Sequence, residues 1–522
     1  MNRVKRPYAQ HFIVLILAIT WMLFSSCFNT YDVGGYTSSE KPPKIIPDYS
    51  DLVIPPNIAP MHFLVQDPGK KYLVKIYTDS NEVIRIQSRS PKIQIPQKEW
   101  RMLLDQHKGA VLYIDIFVYT SEGKWIKYNR ISNRIAEEPI DRYLVYRFLR
   151  PNYTVQKEIM IRQRDLESFD ESLVMTTKTI SACINCHSFN NHNPSEMLFH
   201  IRWGSAAGMI LAQDGRISKI DTRTEFNQSP GAYPSWHPDG HKVALSVNKV
   251  FQFFHATKDS RDVIDFSSDL IIYDTRSNTV SIDPKISSPL YMETFPNWSP
   301  DGNYLYFCRA PQLPPDFDLE KDYQTIKYDL MRVPYFPETE IWGEPETLVS
   351  AAQIDMSCSL PRVSPDGRYL LFTAAEYGNF PIFHSSSDLY LMNLDTKYIQ
   401  RSCANSSAPE GYHCWSSNGR WIVFTSKRDN GVYTRLYFSY VDEKGTIYQP
   451  FILPQKDPED NQLIVRSFSV PEFITKSVPF SAQEFIDAAL DPANEKEASL
   501  DPETAILPKA PVDSNRTIMD YP

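Results

Sequence analysis

Apolar residues in the first third of the chain alternate with polar ones in short runs, the period-two pattern of strands with one buried face. The runs are His62-Phe-Leu-Val-Gln66, Tyr72-Leu-Val-Lys-Ile-Tyr77, Val83-Ile-Arg-Ile-Gln87, Val111-Leu-Tyr-Ile-Asp-Ile-Phe-Val-Tyr119, Tyr143-Leu-Val-Tyr-Arg-Phe148 and Glu158-Ile-Met-Ile-Arg162. Thr120-Ser-Glu-Gly-Lys124 separates the fourth run from Trp125-Ile-Lys-Tyr128, and a glycine in so short a loop predicts a hairpin. Only Gln97 to Gln106 has helical spacing there. Residues 61–175 are expected to form a small β-sandwich-like domain, after a Pro-, Gly- and Ser-rich tether over 28–60.

Further along, the pattern repeats. Tyr233-Pro-Ser-Trp-His-Pro-Asp-Gly240, Phe295-Pro-Asn-Trp-Ser-Pro-Asp-Gly302, Leu360-Pro-Arg-Val-Ser-Pro-Asp-Gly367 and Tyr412-His-Cys-Trp-Ser-Ser-Asn-Gly419 align, each followed by an apolar strand. Proline fixes the chain ahead of the turn, Asp or Asn bonds its own backbone, and glycine takes the positive φ. Each unit is a hairpin that cannot bury its face alone, so the units must stack around an axis as a β-propeller. The repeat resembles the TolB-like propeller repeat, related to the WD-type repeat, over roughly Asn193 to Phe473.

The repeat glycines are 62, 65 and 52 residues apart, beyond the usual blade of about 40–50, so blades carry insertions. The clearest is the aromatic, then charged, stretch from Lys249 to Asp262. Met197 to Arg202 and Gly208 to Ile220 read as a degenerate earlier blade, and a last strand is expected near Leu463 to Phe468. The fold class is thus all-β, a β-sandwich-like domain followed by a propeller over 193–480. Five blades are expected, or six if both ends share the closing blade. Residues 481–522 are expected to be a short helix and a disordered acidic tail, which carries about −6 of the net charge of −9.

Composition supports this picture: aromatic residues make up 13% and prolines number 40 against 18 glycines, which favours strands and turns. No basic stripe points to nucleic acid. At the N-terminus, Arg3, Lys5 and Arg6 precede the apolar run Phe12 to Ile19, and Met22-Leu-Phe-Ser-Ser precedes Cys27. A basic region, a short apolar core and small residues form an export signal, too short for a comfortable membrane span. The residues ahead of Cys27 resemble the lipobox of bacterial lipoproteins, although Phe24 stands where that pattern prefers leucine. The resemblance implies residues 1–27 as a signal with Cys27 lipidated, and an exported chain anchored to a membrane in the cell envelope.

Ser181-Ala-Cys-Ile-Asn-Cys-His-Ser-Phe189, in the seam over 176–192, contains Cys-x-x-Cys-His. This composition yields such a match by chance about 0.002 times per chain. The pattern is that of haem c attachment, with Cys183 and Cys186 as thioether anchors and His187 as axial iron ligand. A Cys183–Cys186 disulfide is the alternative, and half a zinc site a third, although no second Cys-x-x-Cys exists to complete it. Candidates for the sixth iron ligand are His192, Met197, His200, Met209 and His255. Of the other cysteines, Cys308, Cys358, Cys403 and Cys414, an exported protein could pair two or four, with Cys403 and Cys414 the nearest in sequence.

The sequence lacks Gly-x-Ser-x-Gly, a P-loop, Gly-x-Gly-x-x-Gly and His-Glu-x-x-His. After the last repeat too few residues remain for a hydrolase domain. The whole arrangement resembles TolB-like envelope lipoproteins of Gram-negative bacteria with a cytochrome c-type motif, and Tyr143 to Arg147, Gln163 to Asp170 and Phe468 to Phe473 look like recurrent features of that group. The resemblance implies a propeller platform with a single haem c for electron transfer or haem-linked binding, and an unidentified envelope protein or redox partner. The alternative is a non-haem binding or scaffold lipoprotein in envelope assembly or glycan handling.

Overall fold

The computed structural model describes residues 33–79, 83–150, 158–180, 182–227, 229–255 and 261–504. The signal segment and Cys27 lie outside them. Among the described residues, no helix is long and apolar enough to cross a membrane.

Each Asp-Gly or Asn-Gly turn is built by side chains bonding their own backbone. Ser299 Oγ donates to Asp301, whose carboxylate accepts the Asn303 N–H, and the Tyr304 N–H donates back to Ser299 Oγ. Ser364 with Asp366 and Ser416 with Asn418 repeat the pattern. Gly240, Gly302, Gly367 and Gly419 have φ of 66–76°, which a side chain would strain.

These turns serve four of six sheets, each with four antiparallel strands along its main path and, in three of them, one more added at the outer edge. The innermost strands are Ser467–Ile474, Cys183–Phe189, Ala232–Trp236, Tyr291–Trp298, Ser357–Val363 and Glu410–Trp415. Each touches the next in that order, and the last touches the first, so the sheets close a ring. The protein is a six-bladed β-propeller preceded by a domain with a seven-stranded and a three-stranded sheet.

In the first blade the C-terminal strand Ser467–Ile474 pairs antiparallel with Tyr143–Leu149, followed outward by Met160–Asp165 and Glu171–Thr176. Both ends thus share the closing blade. The strands at 143–149 and 160–165 therefore belong to the propeller, and the expected domain boundary at 175 moves back to about 142. Their alternation is the same in a sandwich and in a blade, so periodicity could not assign them.

Two further expectations are corrected. The segment expected as a tether forms strands Tyr36–Ser38, Ile45–Ile46 and Val53–Ile54, with Tyr49, Leu52 and Ile58 buried; proline holds these stretches extended, ready to pair. The short helix expected at the start of the tail forms as Ala482–Leu490, capped reciprocally by Ser481 and Glu484, with Phe485, Ile486 and Ala489 packed on the first two blades, but the expected disorder does not begin directly after it. After it, Glu495–Glu497 and Ser499–Leu500 add parallel edge strands to blades two and three; residues 505–522 lie outside the described residues. The insertion expected from Lys249 to Asp262 falls between two strands of one blade and lengthens their hairpin, Lys242–Phe254 pairing with Arg261–Asp274.

The helix Gln97–Gln106 forms where its spacing predicted it, burying Trp100, Leu103 and Leu104. The N-terminal domain shares one apolar core with blade six and grips that blade's turn. Asp141 accepts the Ser417 N–H and hydroxyl, both at 2.6 Å, while the Pro139 and Glu138 carbonyls accept from Asn418 (2.7 Å) and the Trp421 indole (3.1 Å). Ser417 stands where the other repeats have Pro238, Pro300 and Pro365. A proline there has no N–H to give Asp141, which accounts for the departure of this copy from the repeat. Ser417→Pro keeps the turn that three other blades make but removes both bonds to Asp141. It is expected to cost about 1–2 kcal/mol, read as a lower urea midpoint, and Ser417→Ala, which keeps the N–H, is expected to cost less.

Candidate functional site

The six inner strands surround an axial cavity of about 1630 Å³, larger than the usual 300–1,000 Å³ of a small-molecule site. Its wall is made by one irregularity repeated in every blade. Each inner strand bulges where its pairing register shifts. At each bulge sits a non-glycine residue of positive φ: Cys186 (52°), Tyr233 (49°), Phe295 (53°), Leu360 (53°), Tyr412 (34°) and Val470 (46°). All six line the cavity. Such residues cost of order 1 kcal/mol or more each, and the bulge turns six mostly apolar side chains to the axis.

This register re-reads the cysteine motif. Cys186-His-Ser-Phe189 and Val470-Pro-Glu-Phe473 occupy the same frame as Tyr233-Pro-Ser-Trp236, Phe295-Pro-Asn-Trp298, Leu360-Pro-Arg-Val363 and Tyr412-His-Cys-Trp415. The motif is therefore no seam between domains but the inner strand of blade two, with His187 in the slot that holds proline in four repeats and His413 in the sixth. The four-residue frame was legible, but without the Asp-Gly turn after it these two copies escaped the sequence reading.

Cys183 and Cys186 are free thiols that line the cavity, Cys186 buried and Cys183 half-buried. The Asn185 amide donates to Cys183 Sγ at 3.4 Å. Burial pushes the Cys186 thiol up, while Arg202 and Arg147 pull against that shift. His187 is 1% exposed, and burial brings its pKa down to about 3, so its imidazole is neutral. Neither ring nitrogen has a well-formed hydrogen bond, although the Val145 backbone of the preceding blade lies near enough to favour the proton slightly. His413, in the same slot, places Nε2 3.2 Å from the Leu371 carbonyl of its own preceding blade.

Of the five candidate sixth ligands, the structure brings one to this cavity. His200, paired in register with Asn185, lines it, buried and with pKa lowered to about 3 by burial; its Nδ1 has no partner. Met197 and Met209 lie in apolar cores between blades. His192 places Nδ1 2.9 Å from the Phe473 carbonyl, away from the cavity lining. His255 faces Asp262 at 2.5 Å beside Phe253 and Tyr323, in a separate recess. Among the described residues, no cluster of three His, Cys, Asp or Glu is arranged for a metal ion. Cys308, Cys358, Cys403 and Cys414, whose pairing the sequence left open, are also free thiols: Cys403 Sγ donates to the Ile447 carbonyl and Cys414 Sγ to that of Trp415.

The sequence reading missed the arginines. Arg147, Arg202 and Arg362 come from blades one, two and five, and only ring closure brings them to one cavity. Arg362 faces Glu472 at 3.9 Å. Glu472, which accepts the Phe189 N–H at 3.2 Å, is raised by burial to about 7, with Arg362 opposing.

No family model matches the chain, and no curated protein matches it. Solved structures do. An oligogalacturonate lyase from Vibrio parahaemolyticus is 13% identical, over 57% of this chain and 92% of that one, with a TM-score of 0.32. A chain of a nidogen/laminin complex is 8% identical, over 64% and 99%, with a TM-score of 0.35. An oligogalacturonate lyase in complex with manganese is 12% identical, over 77% and 99%, with a TM-score of 0.30.

Because Glu472 holds its proton in the fold up to about pH 7 and an unfolded glutamate loses it near 4.3, its contribution to stability is complete below pH 4 and declines as pH rises towards 7. Glu472→Gln is expected to remove that decline, of order 2–3 kcal/mol, and to narrow the difference in melting temperature between pH 5 and pH 7.5 relative to wild type.

Proposed function

We propose that the protein is an envelope lipoprotein whose propeller is a binding platform and whose axial cavity holds one haem c, joined to Cys183 and Cys186 and ligated by His187. The observation that carries this reading is that both thiols open on one large cavity beside His187, an imidazole kept neutral by burial with both nitrogens orphaned. Iron is bound by the neutral imidazole, so burial holds His187 in the required state. His200 lines the same cavity with Nδ1 unpartnered, so it would be able to help hold the iron. Phe295, Leu360, Tyr412 and Val470 supply largely apolar wall, and the cavity is roomy enough for a porphyrin. When bound, haem would supply a one-electron iron centre. With a single site of this kind, electron transfer needs an unidentified partner in the envelope. Export and anchoring rest on the signal pattern ending at Cys27.

A second reading is favoured by a separate observation: proline fills the His187 slot in four repeats, so the blade needs no ligand to fold. On it, the protein is a non-haem binding or scaffold lipoprotein in envelope assembly or glycan handling, in which Cys183 and Cys186, free thiols in this structure, become oxidised to a disulfide. Expression with the native signal in a host competent in haem c attachment separates the two. The first predicts a Soret band that stays with the polypeptide after denaturation and disappears in Cys183→Ala/Cys186→Ala. Colourless protein would overturn it, and a melting temperature that falls on reduction would then favour the second.

A further inference from the structure

We infer that Arg147 and Arg202 form a carboxylate-binding site in the wall of the axial cavity. The chain carries a net −9, yet the residues lining this cavity include eight arginines and lysines against two aspartates. Several of these cations are already matched: Arg223 by Asp221 at 2.5 Å, Arg150 by Glu158 at 2.7 Å, and Arg362 more loosely by Glu472. Arg147 and Arg202 are not. Among the described residues, neither makes an ion pair with a carboxylate. Arg147 Nε is buried with no hydrogen bond, and the hydrogen-bonding neighbour of Arg202 is the Tyr233 hydroxyl, an uncharged group. The carboxyl of Asp265, which feels the Arg202 charge, is itself buried and already takes hydrogen bonds from Asn379 at 2.6 Å and Asn248 at 3.0 Å.

The two guanidinium groups stand on neighbouring blades beside the motif: Arg202 pairs in register with Cys183, Arg147 pairs with Ser469 next to Val470, and both line the cavity with Cys186 and Tyr412. Both charges also reach the Tyr412 hydroxyl. Two partly buried cations without a counter-charge are costly, and an anion between them offsets that cost. The planar guanidinium fork fits the two oxygens of a carboxylate. Phe295, Leu360 and Phe380 on the wall of the same cavity would take an apolar body. The ligand class is therefore an apolar or ring-shaped molecule bearing carboxylates. Its source is either the propionates of a bound haem or the carboxylates of a free ligand, and the arginine site does not depend on which.

Haem-free Cys183→Ala/Cys186→Ala protein removes covalent attachment from the test, so failure here is separate from failure of the haem reading. It is titrated with metal-free protoporphyrin IX, its dimethyl ester, and naphthalene-2,6-dicarboxylate, followed by fluorescence and calorimetry. Protoporphyrin IX is expected to bind at least about tenfold tighter than its ester, with affinity falling as salt rises. Arg147→Gln/Arg202→Gln is expected to erase that difference, whereas Arg223→Gln, whose guanidinium is already taken by Asp221, is expected to leave it. Arg147→Lys, which keeps the charge and loses the fork, should fall between. Binding of the naphthalene dicarboxylate with no binding of the porphyrin assigns the site to a free ligand. Should the double variant fail to fold, Arg147→Gln alone carries the comparison, with an expected loss of about threefold or more. Equal binding of acid and ester with no binding of the dicarboxylate, affinities unchanged by the arginine substitutions, or no binding of any probe overturns the inference.

Discussion

The structure depends on one strand pairing, that of Tyr143–Leu149 with Ser467–Ile474. Segments more than three hundred residues apart meet in a single sheet, and with them six blades become a ring instead of a stack with two open edges. Open strand edges invite pairing with other chains. Closure hides them and fixes the cavity, because the closing strand supplies Val470 and its partner supplies Arg147. It also places Glu472 against the backbone of the motif strand.

The second constraint is the bulge at the start of each repeat frame. Six residues other than glycine hold a conformation that L-amino acids avoid, and they do so at equivalent places around one axis. Strain that recurs in every blade belongs to the architecture and not to a particular reaction. Cys186 is one of the six, so its backbone is explained by the repeat, as is the burial of His187 beside it. What the repeat leaves unexplained is chemistry: two thiols, two imidazoles with unsatisfied nitrogens and two unmatched guanidinium groups on the same wall. The case for a bound ligand rests on these groups and not on the shape of the strand.

The N-terminal domain is tied to the ring through the blade whose turn departs from the repeat. Ser417 in place of proline releases an N–H for Asp141, and the shared apolar core runs from the domain's sheets into blade six. Lys92 adds an ion pair to Asp457 at 2.8 Å. A small change in a repeat copy thus marks a contact with another part of the molecule.

Local chemistry wrote much of this into the sequence. Period-two alternation gave the all-β class, the helix at Gln97–Gln106 followed from its spacing, and four Asp-Gly or Asn-Gly turns marked blades, since each turn is stabilised by residues within five positions of one another. The Cys-x-x-Cys-His pattern singled out Cys183, Cys186 and His187 by composition alone. What the sequence could not settle was assignment across distance. A strand has the same alternation in a sandwich as in a propeller, so Tyr143–Leu149 went to the wrong domain, and the edge strands after Ala482–Leu490 carry too few residues to announce partners. The arginines of the cavity lie in different blades with no common spacing. Only the ring brings them together, because a closed sheet arrangement makes neighbours of residues that the chain itself keeps far apart.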